Sequence, residues 1–106
     1  MGRISNMINA YRAQNYWIRA HGQMRTDAIY SINRAIKLEP NQSKIPEYLE
    51  LKGFIEKDIS RVSESRATFE KALQFIDEHP QVCVGAKYEE LKKRLEVELE
   101  DMSFSA

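Results

Sequence analysis

The sequence predicts an all-α fold made of antiparallel helix hairpins stacked one on the next, about five helices in all. Three observations lead there. Apolar residues recur every three or four positions over long stretches, the spacing of a helix with one buried face. Glycine and proline are scarce, four and three in 106 residues, and Pro40 and Pro80 stand where apolar periodicity stops. The chain also matches itself when shifted by 37 or 40 residues.

The elements follow in order. Residues 4 to 20 carry Ile4, Met7, Tyr11 and Ile18 on one stripe, with Ala10 and Trp17 beside it and Gln14 interrupting it. "HGQ" at 21 to 23 reads as a turn, with Gly22 suited to the left-handed position past a helix end. A second helix starts at Thr26 or Asp27 and runs to Leu38. Pro40 ends it, because proline disfavours helix at the residue before it. After "NQSK", Ser43 is the expected N-cap of a third helix, with Pro46 in the first turn, where its missing N–H costs nothing. That helix carries Tyr48, Leu51, Ile55 and Ile59. A break near Ser60 leads to a fourth helix with Val62, Ser65, Phe69, Ala72, Leu73 and Ile76, closed by "EHPQ". A fifth runs from about Val82 to Met102 on the stripe Val84, Tyr88, Leu91, Leu95, Leu99 and Met102.

At a shift of 37, Ala35 falls on Ala72, Ile36 on Leu73, Ile32 on Phe69, Ala28 on Ser65, Tyr11 on Tyr48 and Trp17 on Phe54. At a shift of 40, Pro40 falls on Pro80, Tyr48 on Tyr88, Leu51 on Leu91 and Ile55 on Leu95. Small, aromatic and proline positions recur in the same order. The physical reading is a stacked hairpin. Two helices approach closely only where side chains are small, so Ala28, Ala35, Ser65 and Ala72 mark the contact lines. One hairpin alone leaves an apolar face exposed, and stacking buries it.

These residues carry a resemblance. "DAIYSINRAIKLEPN" looks like the second helix of a tetratricopeptide repeat (TPR), with Ala28, Ile29, Ile32, Ala35, Ile36, Leu38 and Pro40 in place. "ESRATFEKALQFIDEHP" is similar through Ser65, Phe69, Ala72 and Leu73, with its proline three residues late. Tyr11 and Tyr48 stand for the family's early aromatic, while Asn15 and Lys52 replace its close-approach glycine. Shifting the third helix by one residue places Gly53 at that position. The resemblance covers about residues 5 to 100. It implies one domain over 1–106, a short right-handed solenoid with a first repeat at about 5–40, a second at about 44–80 and a C-terminal capping helix at about 82–102. It also implies protein binding on the concave face of the first helices. The matching groove positions are Asn9, Arg12, Tyr16 and Arg19, with Trp17 between core and groove. In the second unit they are Leu49, Gly53, Glu56 and Lys57. The carboxylate clamp of the family's chaperone adaptors is missing, since Tyr16 takes the place of its asparagine and Glu50 opposes the rest. "SRATFEKAL" also suits the related half-a-TPR pattern of RNA-processing scaffolds.

The chain as a whole bounds the function. Its length suits one small domain. The formal net charge is zero, yet unevenly spread. Residues 1 to 38 hold six basic side chains against Asp27 alone, leaving an excess of five negative charges on the rest. The single cysteine, Cys83, makes no intramolecular disulfide, which fits a reducing compartment. No apolar run approaches the ~18 residues of a membrane span, and "MGRISNMINAYR" lacks the apolar block of a signal peptide. Asn6 stands where a myristoylation signal wants Ser or Thr. A cytoplasmic protein without membrane attachment is the expectation.

No catalytic constellation is legible, so no enzyme activity and no cofactor are expected. His21 and His79 lie beside turns without partners at metal-ligand spacing. Cys83 reads as a structural thiol. The carboxylates of "EVELED" read as a solvated helix face, and Gly22, Gly53 and Gly85 are too isolated to cradle phosphate. The sequence therefore points to an interaction module holding a protein or peptide segment, acidic segments included, at Asn9, Arg12, Tyr16, Trp17, Arg19 and Lys57. Two alternatives stand beside it. Self-association, as a dimer or larger, would use the near-heptad stripe of the last helix, or contact between the basic N-terminal and acidic C-terminal faces. RNA binding would use Arg12, Arg19, Arg25, Tyr16 and Trp17, and zero net charge argues against it.

Overall fold

A computed structural model of the chain describes residues 6, 9, 10, 12–17 and 25–105, and every regular element among them is helical. Residues 12–17 are helical, as are 6, 9 and 10. The expected ends of that first helix and the turn at 21–23 lie outside the described residues. Then come α1 (Arg25–Leu38), a short 3-10 turn (Gln42–Lys44), α2 (Ile45–Asp58), α3 (Val62–Glu78) and α4 (Ala86–Ser105). No described helix is long and apolar enough to cross a membrane.

Each boundary has a local cause. Past the end of α1, Glu39 still donates its backbone N–H to the Ala35 carbonyl at 3.0 Å, and Pro40 then stops the run. Asn41 organises the next turn. Its Oδ1 accepts from the Ser43 backbone N–H at 3.0 Å and the Ser43 hydroxyl at 2.7 Å. The expected cap is thereby corrected. Ser43 lies inside the 3-10 turn that Asn41 caps, and α2 begins after it with Pro46 in its first positions. The reason is reach: an Asx side chain closes a turn over two residues, which leaves Ser43 as its donor.

α2 ends in a Schellman motif. Arg61 N–H donates to the Glu56 carbonyl at 2.8 Å and Ser60 N–H to the Lys57 carbonyl at 3.1 Å. Ser60 takes the left-handed position, φ 66°, usually glycine's. α4 starts one residue after Gly85, whose φ of 103° suits glycine. Val82 and Val84 therefore fall in the turn ahead of α4 and are exposed, not helical and buried as the periodicity suggested.

The direction of each helix shows in its cross-contacts. Along α2 and α4 the pairs ascend together: Glu47 with Lys87, Glu50 with Arg94, Lys57 with Glu98. These helices run parallel, side by side. Between α3 and α4 they run in opposition: Asp77 meets Lys92, and an Arg66 Nη donates to the Met102 carbonyl at 3.1 Å. α3 folds back on α2 across the tight turn at 59–61.

Two clusters form the core. One gathers Ala13, Ala28, Ile32, Ala35, Tyr48 and Ile55 where the N-terminal stretch and α1 meet α2. The other gathers Leu49, Phe69, Ala72, Ile76, Cys83, Tyr88, Leu91, Leu95 and Met102 among α2, α3 and α4. The small residues sit where expected, with Ala28, Ala35, Ser65 and Ala72 all buried. The Ser65 hydroxyl donates to the Gly53 carbonyl at 2.7 Å, so the close helix contact also satisfies the polar atom it buries. Gly53 makes that approach possible, since a Cβ there would lie 2.7 Å from Phe69 Cδ1. The stripe of α4 is covered by the chain's own α2 and α3, with Leu91 and Leu95 fully buried.

Candidate functional site

Because the N-terminal stretch, α2 and α4 lie side by side, one face of α2 looks into a cleft between its neighbours. Three adjoining hollows of about 310, 130 and 280 Å³ make it up. The central one is lined by Trp17, Glu47, Glu50, Leu51, Phe54 and Arg94. Toward the start of α2 it continues past Gln14, Lys44 and Tyr48. Toward α4 it continues past Lys93, Val97 and Glu98. On α2 the lining residues 47, 50, 51 and 54 fall three or four apart, one helix face.

The cleft floor is apolar and rests on the core. Trp17 packs on Tyr48 with ring centroids 6.2 Å apart, and Phe54 meets buried Phe69 edge-on at 5.3 Å and 73°. Tyr48 is fixed in turn. Its hydroxyl donates to Glu39 Oε1 at 2.6 Å, and Glu39 Oε2 accepts the Asn41 backbone N–H at 3.0 Å. That buried carboxylate thus ties the end of α1 to α2 beneath Trp17.

Burial, then the Glu39 hydrogen bond and the nearby charges of Glu39 and Glu47, push the Tyr48 phenol above the ordinary tyrosine range. A raised folded value means that the protonated phenol stabilises the fold. This contribution is complete below the unfolded value of ~10 and is lost as pH rises through the folded value. Absorbance titration at 295 nm is expected to show Tyr48 ionising only above the ordinary tyrosine range, together with unfolding. The Tyr48→Phe variant is expected to lose stability less steeply above pH ~10.

The cleft walls are ionic. Glu47 pairs with Lys87 at 2.6 Å, and Glu50 accepts from Arg94 Nε at 2.9 Å and from its Nη at 3.3 Å. These bonds raise the pKa of Lys87 and of Arg94. All four side chains keep some solvent contact, so each pair contributes ~1 kcal/mol or less. Both pairs bridge α2 and α4.

The expected site residues distribute unevenly. Trp17 lines the cleft. Asn9 is half-buried, Arg12 is exposed, and neither lines it. Tyr16 turns toward α1, edge-on to Tyr30 at 6.3 Å, with the Arg34 guanidinium 5.7 Å from its ring centroid. Arg19 lies outside the described residues. Lys57 is exposed and paired with Glu98 at 3.1 Å, and it does not line the three hollows. The groove positions Leu49, Gly53 and Glu56 are corrected: all three are buried. Leu49 and Gly53 face Phe69, and Glu56 accepts a hydrogen bond from Thr68 Oγ1 at 2.5 Å. The error is one of rotation. The correct lining was accessible through the self-match, because Trp17 falls on Phe54 at a shift of 37 and Phe54 on Arg94 at a shift of 40. Those three side chains share the central hollow.

His79 closes α3, its Nδ1 2.8 Å from the Phe75 carbonyl and its ring stacked on Phe75 at 3.9 Å. Cys83 is buried, and burial raises its thiol pKa. Among the described residues no group of three or more His, Cys, Asp or Glu side chains is placed to hold a metal ion. No family model, curated protein or solved structure matches this chain.

Proposed function

We propose that this chain is a non-enzymatic, TPR-like interaction module that holds a peptide or protein segment in the cleft between its N-terminal helix, α2 and α4. The observation that carries the reading is the convergence of Trp17, Phe54 and Arg94, equivalent under the self-match, on one cleft. An apolar floor with polar walls is the make-up of a segment-binding groove. The parallel course of α2 and α4, with α3 behind them, supports stacked hairpins as its frame. The self-associating alternative draws less support, since the stripe proposed as its seam is covered within the chain.

The test is differential capture from a lysate. Leu51→Glu with Val97→Glu changes the cleft at two partly exposed positions. Arg12→Glu with Tyr16→Ala changes the neighbouring face. Circular dichroism first establishes that both are as helical as wild type. A partner held by wild type and by the Arg12/Tyr16 variant, and lost by the Leu51/Val97 variant, is the expected result. The reverse pattern would move the binding surface onto the first helix.

A further inference from the structure

The charges lining the cleft are equal in number, three acids and three cations, but they are not all paired with one another. Its lining acids are engaged: Glu47 with Lys87, Glu50 with Arg94, Glu98 with Lys57. Two lining cations, Lys44 at one end and Lys93 at the other, have no ion pair among the described residues. Glu90, whose field also acts on Arg94, lies one turn before it and outside the lining. Between the two lysines the apolar surface is Trp17, Leu51, Phe54 and Val97, bordered by Glu47, Glu50, Arg94 and Glu98, each in an ion pair.

The spacing is set by α2. Lys44 immediately precedes the helix, and Lys93 borders the hollow at Phe54. Ten residues of helix advance ~15 Å. An extended chain covers that distance in about four or five residues.

We propose that the cleft takes an extended peptide segment with an apolar middle of about four residues and a carboxylate side chain at each end, the two carboxylates meeting Lys44 and Lys93. This rests on the cleft reading and adds its charge selection. A lysine at each end of the segment would meet a cation on both sides, since the cleft's acids already hold partners. Like charges in contact disfavour binding and select against such partners.

Trp17 is the only tryptophan and lines the cleft, so its emission reports occupancy without a label. Two blocked peptide pools serve as probes. Both randomise four central positions over Leu, Ile, Val and Ser; one is flanked by glutamates, the other by lysines. The glutamate pool is expected to shift Trp17 emission at a concentration about tenfold lower than the lysine pool, a modest sum for two exposed charge contacts. Lys44→Glu with Lys93→Glu, two solvent-accessible changes, is expected to reverse the order. Equal response to both pools would overturn the charge selection while leaving the cleft as a binding surface. A lysine-pool preference in wild type would overturn it as well. No response to either pool would overturn both the selection and the cleft reading.

Discussion

Replacing Phe69 with alanine is expected to destabilise the protein by about 3–5 kcal/mol, read as a lower denaturant midpoint with unchanged m-value. Phe69 is fully buried and stands where α2 and α3 approach most closely, against Gly53. Truncation removes transfer free energy and leaves a cavity that stiff helices fill only in part. For a domain whose total stability is about 5–15 kcal/mol, that is a large fraction. The consequence reaches the cleft, because Phe54 rests edge-on against this ring. Leu73→Ala, at a partly buried position packed on the same cluster, is expected to cost less. An equal loss from the two substitutions would remove Phe69 from the centre of the core.

Gly53→Val carries the second large effect, about 2–3 kcal/mol of destabilisation. Helix propensity alone points the other way, since glycine is the weaker helix former by up to ~1 kcal/mol against alanine. Geometry decides the sign. A Cβ at 53 would lie within 3 Å of the Phe69 ring, and a fully buried ring in a packed core has little room to retreat. The decisive measurement is a double-mutant cycle with Phe69→Leu. Gly53→Ala is expected to be unfavourable beside phenylalanine and neutral or favourable beside leucine, with a coupling of about 1–3 kcal/mol. Additive effects would show that Gly53 is not a steric partner of Phe69.

The stops and contact lines of this fold were legible because they depend on backbone chemistry. Pro40 cannot continue a helix, and alanines or serine mark where helices touch. Those signals placed α1 within two residues and the α2–α3 break at Ser60. Harder to read was the rotation of α2. It packs against the N-terminal stretch, α1, α3 and α4, so its buried surface is wider than one stripe and includes Gly53 and Glu56. A buried carboxylate looks like a solvated one until its partner, Thr68, arrives from the next helix. Tyr16 posed the same difficulty. Its spacing from Arg12 was visible, but not that Tyr30 and Arg34 of α1 would take up its ring. Val82 and Val84 fitted a helical stripe by number alone, whereas Gly85 starts α4 only after them.

Photo-crosslinking reads directly whether the cleft between the N-terminal stretch, α2 and α4 is the binding surface. Benzoylphenylalanine would replace Phe54 or Val97 in the cleft and, in separate proteins, exposed Tyr30 or Val62 on α1 and α3. The same discrete partner adduct is expected from positions 54 and 97 and none from 30 or 62. An adduct formed from 30 or 62 but absent from 54 and 97 would contradict it.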